Sequence, residues 1–275
     1  MRRSFVLFFV IFCLTIFVSP VQADPARGLQ GYWAFKGNAN DSTGNYNDLT
    51  VSGATLTSDR YGYENRAYTF DGSDDYLYIN DTSQNKLDIT GDFTITVWIK
   101  FNSLYHGNFF YSHYQNNTSF TDIYLNSDNY RLNFSSQYGG TWEISAYINW
   151  YPVVDTWYHL TFVGKGGGNG SESDWKIYIN GIDQGTLTKE AGSWNPTLAN
   201  RDGAFYFGKQ GNSTNFLNGQ LDEIRFYNRI LSNAEIYALA HSADCDEDGD
   251  VDLDDLSSKR QEVNNWVDDF ISDMD

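Results

Sequence analysis

Cysteine is almost missing from this chain. Its two cysteines are Cys13, inside an N-terminal apolar run, and Cys245, near the far end. With Cys13 removed together with that run, no internal disulfide frames the fold, and stability rests on packing. Cys245 is left as an unpaired thiol or as one available for an intermolecular bond. Proline is also scarce, at four residues, while 17% of the chain is aromatic. That balance excludes a disordered polymer and favours a packed core with many strands. Positive charge is in short supply, with 18 Lys and Arg against 36 Asp and Glu and a net charge of −18. A nucleic acid or an anionic lipid surface is thereby excluded as a partner, because phosphate would be repelled. The four histidines, His106, His113, His159 and His241, have no zinc spacing.

Long apolar runs are limited to one. Arg2 and Arg3 precede Phe5 to Val18, and Pro20 and Val21-Gln22-Ala23 then lead into Asp24. The run is shorter than the roughly 18–20 residues that span a bilayer, and its flanks are those of a secretory signal. Cys13 follows bulky Phe12 where a lipoprotein signal wants a small residue. The expectation is a signal peptide over residues 1–23, a secreted or cell-surface location, and no membrane insertion after cleavage. The charge then divides the rest. Residues 244–275 carry 13 acidic and 2 basic side chains, whereas 24–243 carry 23 and 14. This predicts one large domain over 24–243 and a separate acidic tail over 244–275.

Within the large segment, Phe93 to Phe101 alternates strictly. Phe93, Ile95, Val97, Ile99 and Phe101 share one face, and Thr94, Thr96 and Lys100 the other, as in a half-buried strand. Trp98 interrupts the polar face, as a ligand platform or a rim residue. Tyr158 to Val163 repeats the alternation. Trp175 to Ile179 meets Asn180-Gly181 and continues at Ile182, a strong hairpin signal because both turn positions need positive φ. Further strands are expected at 32–35, 67–70, 76–79, 123–125, 131–134, 143–148, 204–207 and 220–227. Ser232-Asn233-Ala234-Glu235 is a capping box opening a short helix. Many strands without long intervening helices imply antiparallel sheets in a sandwich or barrel.

Several of these segments resemble the laminin-G-like, or concanavalin-A-like, jelly-roll superfamily. They are Gly31-Tyr32-Trp33-Ala34-Phe35 with the asparagine-rich loop to Asn45, Phe70-Asp71-Gly72-Ser73-Asp74-Asp75-Tyr76, the 93–101 strand, Trp157-Tyr158-His159-Leu160, Ile177-Tyr178-Ile179-Asn180-Gly181, and Leu221 to Ser232. The ordered set covers nearly all of residues 29–240. The resemblance implies an all-β, two-sheet antiparallel jelly-roll sandwich with one short C-terminal helix. The same sandwich hosts lectins, adhesion modules and polysaccharide-cleaving enzymes, so function has to come from a site. In some relatives a structural calcium lies at a rim where Asp41 and Asp222 would meet. The alternative is turn chemistry for Asp41 and a surface charge for Asp222.

The tail holds the sharpest chemistry. Asp244, Asp246 and Asp248 fall at positions one, three and five of a twelve-residue EF-hand loop, with Gly249 at six and Val251 at eight. Asp250 offers a backbone carbonyl at seven, Asp252 stands at nine, and Asp255 closes the loop. Calcium takes six to eight hard oxygens, and this spacing wraps them around one centre. Asp at the twelfth position, in place of Glu, is similar to dockerin-like and thrombospondin-repeat-like loops. A purely solubilising acidic tail is the competing reading. Leu253, Leu256, Val263, Val267 and Phe270 form a helical stripe after the loop, and no second loop of the dockerin kind follows.

Sugar-stacking candidates cluster at Phe109 to Tyr114 and at Trp142, Tyr147, Trp150 and Tyr151, each with core packing as its competing role. No strand carries the paired carboxylates of a glycosidase, Glu143 stands isolated, and no nucleophile elbow is present. The sequence thus points to a non-catalytic binding module for a carbohydrate or glycoprotein ligand. A cell-surface protein partner and a polysaccharide-degrading enzyme are the alternatives.

Overall fold

The structure, a computed structural model, describes residues 26–104, 107–211 and 214–241. In chain order the strands are β1 (Leu29–Trp33), β2 (Thr50–Ser52), β3 (Thr55–Thr57), β4 (Ala67–Asp71), β5 (Tyr76–Ile79), β6 (Asp92–Phe101), β7 (Gly107–Asn116) and β8 (Ser119–Asn126). They continue with β9 (Arg131–Tyr138), β10 (Thr141–Asn149), β11 (Trp157–Lys165), β12 (Lys176–Ile179), β13 (Ile182–Asp183), β14 (Thr188–Gly192), β15 (Ala204–Phe207) and β16 (Asn218–Tyr227), before helix α1 (Asn233–His241).

Two antiparallel sheets pack face to face as a jelly-roll sandwich. The first runs β13-β12-β11-β6-β16-β4-β3, with β1 on the far half of β16; the second runs β14-β10-β9-β8-β7-β15-β5-β2. The alternating positions of β6 turn Phe93, Ile95, Val97, Ile99 and Phe101 into the core, all 3% exposed or less. Rings meet across the gap, Trp33 on Phe207 at 5.2 Å, Phe93 on Phe134 at 5.2 Å and Phe110 on Phe162 at 5.8 Å. The Trp33 indole N–H donates to the Asn47 carbonyl at 2.8 Å, so the largest core side chain leaves no donor unpaired.

Local chemistry sets the turns. Asn180 and Gly181 have φ of 50° and 76° and join β12 to β13 directly. Ser232 Oγ accepts from Glu235 N–H while the Glu235 carboxylate accepts from Ser232 N–H at 2.8 Å, closing the expected capping box. Burial would raise the Glu235 pKa, but bonds from Arg229 and Ser232 hold it at about 2. Among the described residues no helix is long and apolar enough to cross a membrane.

Several expectations need correction. The first strand begins at Leu29 and stops at Trp33, because Phe35 takes φ of 53° and cannot extend it. The second face of β6 is covered, not solvated: Thr94 and Thr96 are fully buried, and Thr94 Oγ1 bonds Arg229 O and Leu231 N–H in the turn before α1. Phe109-Phe110-Tyr111 does not alternate because a bulge lies between Phe109 and Tyr111 in β7. It sends Phe109 outward and keeps Phe110 and Tyr111 in the core.

Candidate functional site

The outer face of the second sheet carries the candidate site. Register places Ser145, Ser135, Asp122, Ser112, Tyr206, Tyr78 and Thr50 in one unbroken row across seven strands. On one side lies the row Trp142-Gln137-Phe120-Tyr114, and on the other Tyr147-Asn133-Tyr124-Phe109. Register thus sets short polar side chains, Ser112, Asp122, Ser135 and Ser145 at 0–4% exposure, between rows made mostly of aromatic ones, and this outlines a furrow across the strands. Inward partners such as Leu77, Ile123, Leu132 and Phe205 are fully buried, which fixes the furrow on the outside.

The furrow floor is hydrogen-bonded within itself in two groups. Ser112 Oγ donates to Asp122 Oδ1 at 2.6 Å, Gln210 Nε2 donates to Asp122 Oδ2 at 3.0 Å, and Ser135 Oγ lies 3.1 Å from Ser145 Oγ. Asp122 is 1% exposed, and burial pushes its carboxyl up to about 6, against the bonds from Ser112 and Gln210. Gln210 and Gly211 cross the face, since Gly211 N–H donates to Ser112 Oγ at 3.3 Å. A Cβ on Gly211 would sit 2.3 Å from the Tyr114 ring, so only glycine lets the loop press there.

At the β5 and β15 end the furrow opens into an aromatic platform. Tyr76, Tyr78 and Tyr206 are partly exposed, with centroids 5.7, 6.0 and 6.2 Å apart. Lys209 Nζ stands 4.4 Å from the Tyr76 centroid, 4.8 Å from Tyr206 and 5.7 Å from Phe216.

The sequence candidates separate. Tyr114, Trp142 and Tyr147 reach this face; Trp142 is 41% exposed and edge-on to Phe120, and Tyr147 lies under the Arg131 guanidinium. Phe109 is on the face but buried in a stack with Tyr124 at 4.3 Å. Phe110 and Tyr111 are core, Trp150 wedges between Phe101 and Tyr158, and Tyr151 stands exposed against Tyr130. Trp98 lies on β6 of the first sheet, away from this face, with Arg60 over its ring at 4.4 Å. Tyr76, Tyr78 and Tyr206 were not among the candidates, yet the alternation Tyr76-Leu77-Tyr78-Ile79 marks both tyrosines as outward.

The remaining carboxylates have other work. Asp41 accepts from the backbone N–H of Tyr32, Thr43 and Asn47 at 3.0–3.1 Å, which is turn chemistry. Asp222 is buried, not a surface charge, and pairs with Arg60 at 3.3 Å beside the Glu223–Arg225 pair. Burial and the neighbouring Glu223 push its carboxyl up, and Arg60 opposes them. Glu143 binds the Arg201 guanidinium and accepts from Ala199 N–H at 2.6 Å. Asp81, Asp88 and His113 approach one another, but Gln84 Nε2 donates to both carboxylates and His113 Nε2 donates to the Arg201 carbonyl at 3.0 Å. The calcium-loop residues Asp244, Asp246, Asp248, Asp250, Asp252 and Asp255 lie outside the described residues.

The two antiparallel sheets of this sandwich have the concanavalin A-like jelly-roll architecture. Residues 71–237 match the family model of the concanavalin A-like lectin/glucanases superfamily, and the chain belongs to that superfamily. Domain 4 of AbnA, a GH43 extracellular arabinanase from Geobacillus stearothermophilus solved with arabinotriose, is similar at a TM-score of 0.59. Its identity is 16%, over 78% of this chain and 98% of its own. Botulinum neurotoxin type C, described by its dependence on two ganglioside molecules, is similar at 0.59 with 17% identity over 79% of this chain. The binding domain of botulinum neurotoxin DC, in complex with rat synaptotagmin II, gives 0.59 with 16% identity over 80%. The chain spans about half of these two neurotoxin chains, at 51% and 52%. At such identities the likeness is one of fold. No curated protein sequence matches the chain.

Proposed function

We propose that this chain is an exported, non-catalytic carbohydrate-binding module whose ligand lies along the furrow on the outer face of the second sheet. The observation that carries the reading is the set of exposed or partly exposed rings, Tyr76, Tyr78, Tyr206, Tyr114, Trp142 and Tyr147, standing around the buried polar row from Ser112 to Ser145. Pyranose faces stack on aromatic rings, while sugar hydroxyls exchange hydrogen bonds with short polar groups between them. A glycosidase would need two carboxylates converging across this cleft. Asp122 is the one carboxylate in the furrow row, and Glu143 is committed to Arg201. The arabinotriose and ganglioside relatives support a glycan ligand, and the synaptotagmin complex supports a protein partner as the second possibility.

A glycan array with the full chain, in calcium and in chelator, tests the reading. Binding to a defined saccharide class supports it. No binding to any glycan, together with a cell-envelope partner that resists competing sugars, replaces it with protein adhesion.

The proposal for the tail is a calcium site. Asp244, Asp246, Asp248, Asp252 and Asp255 would hold the ion through carboxylates and Asp250 through its backbone carbonyl, a set of hard oxygens suited to calcium. Calcium is expected to protect residues 244–275 from proteolysis in the full chain, with magnesium a poor substitute, and Asp244→Ala with Asp248→Ala to abolish the protection. Equal cleavage with and without millimolar calcium leaves the tail a solubilising extension.

A further inference from the structure

Lys209 is out of keeping with its surroundings. The chain is strongly acidic, yet this lysine projects onto the aromatic end of the furrow among Tyr76, Tyr206 and Phe216. Its position is built, not incidental. Lys209 and Phe216 form an antiparallel bridge, Leu217 N–H donates to Gly208 O at 2.8 Å, and Gln210 N–H to Asn215 O at 3.0 Å. Gly208 takes φ of 88°, and a Cβ there would meet the Phe70 ring at 2.5 Å, so the hairpin's root is fixed against the core. Arg131, Lys176, Arg201 and Arg229 each hold a carboxylate. Among the described residues Lys209 has none within salt-bridge distance; its neighbours are rings.

Such a cation is only partly compensated. The ring quadrupoles attract the ammonium but carry no full negative charge to neutralise it. Burial pushes the ammonium pKa down, and no acidic side chain opposes that push; the Tyr76 hydroxyl alone does, weakly. The side chain is therefore poised to take an anionic group from outside the protein. Beside it the partly exposed ring of Tyr78 lies 6.2 Å from that of Tyr206.

We propose that the furrow selects acidic saccharides, with the ring of a uronate or sulfated sugar on the Tyr78–Tyr206 platform and its carboxylate or sulfate on Lys209 Nζ. The inference rests on the carbohydrate reading above and adds the ligand's charge to it. The chain's negative charge does not forbid such a ligand. Repulsion from exposed carboxylates, the Asp71-Asp74-Asp75 cluster in the turn before Tyr76 included, is screened over about 8 Å at physiological salt.

Four polymers separate the possibilities: a polyuronate and its methyl ester, and a sulfated glucan and the unsulfated glucan. Calorimetric titrations would compare the native chain with Lys209→Met, Lys209→Arg and Tyr206→Ala, all checked for native-like thermal unfolding. The expected result is tighter binding of at least one acidic polymer than of its neutral partner. Lys209→Met should lower that affinity about tenfold and leave the neutral polymer's unchanged, as loss of one charge-assisted hydrogen bond would. Lys209→Arg should retain the preference, and Tyr206→Ala should weaken acidic and neutral binding alike. Preference for the polyuronate identifies a carboxylate ligand, and for the sulfated glucan a sulfate. Binding of neutral polymers with no acidic preference, or a preference untouched by Lys209→Met, overturns this inference alone. No binding of any of the four polymers overturns this inference, and the glycan array decides the carbohydrate reading.

Discussion

Replacing Arg201 with alanine is expected to destabilise the sandwich by about 3–5 kcal/mol, the largest effect of any single polar substitution considered for this fold. Arg201 is 1% exposed and reaches the polar end of the second sheet's inner face. There its guanidinium donates to Glu143, to Ser136 Oγ at 2.8 Å, to Gln137 O at 3.1 Å and to Ala199 O at 2.7 Å. Its own carbonyl accepts from His113. Alanine leaves Glu143 as a mostly buried carboxylate whose cation is gone, and strands Ser136 and two carbonyls. The physical signature is non-additivity. Arg201→Met combined with Glu143→Met removes both charges and should recover most of the loss, because the penalty comes from one partner buried alone. Urea unfolding midpoints at constant m-value would measure it. A loss below about 1 kcal/mol for Arg201→Ala would show that the ion pair is incidental to the fold.

The second large effect is on pH dependence, where two buried groups act with opposite sign. His113 lies stacked on Phe205 at 3.8 Å, and burial together with Arg201 depresses its pKa from the ordinary 6.5 to about 3. The unfolded chain takes up a proton first, so this group's stabilisation is present above pH 6.5 and is lost as pH falls towards 3. The full span is about 4–5 kcal/mol at 1.36 kcal/mol per pKa unit. His159, also fully buried, is depressed by burial and by Arg225 and acts in the same direction. Asp122 runs the other way. Its carboxyl, raised from 3.8 to about 6, favours the folded state below pH 3.8, and that contribution disappears as pH rises through 6, a span of about 3 kcal/mol. Stability should therefore fall on acidification below pH 6.5, with Asp122 offsetting part of the loss between pH 6 and 4. His113→Gln should flatten the fall, and Asp122→Asn should steepen it while raising stability at pH 8. Denaturant titrations from pH 4 to 8 check both, and equal slopes in all three proteins would contradict the burial argument.

Much of the fold was legible because alternation and turn chemistry are local. Phe93 to Phe101 announces its inner face by period two, Asn180-Gly181 its turn by positive φ, and Ser232 with Glu235 its helix start. Short strands at the sheet edges, such as β2, β3 and β14, were not legible, since three to five largely exposed residues show no apolar period. Nor was the burial of Thr94, whose hydroxyl bonds a turn more than 130 residues away. The furrow is the clearest case of information held in register. Ser112, Asp122, Ser135 and Ser145 are ordinary strand residues in the sequence, and they become a continuous floor only when four strands align. The platform was half legible: Tyr76 and Tyr78 alternate with core residues, but Tyr206 joins them only through the pairing of β15 with β5. Aromatic-rich stretches misled in the other direction, as at Phe110 and Tyr111, because a bulge reassigns faces without changing composition.

The carbohydrate reading stands or falls on where binding energy resides. The direct measurement is calorimetric affinity for the best array ligand in two variants of matched size and unaltered fold. Tyr78→Ala removes a ring from the furrow, and Tyr237→Ala removes an exposed ring from α1, 55% exposed and away from the second sheet. A stacking ring is worth about 1–2 kcal/mol, so Tyr78→Ala should weaken binding roughly tenfold and Tyr237→Ala should leave it unchanged. Equal affinity in the Tyr78 variant and the native chain, or a loss confined to the Tyr237 variant, would place the ligand elsewhere and contradict the account.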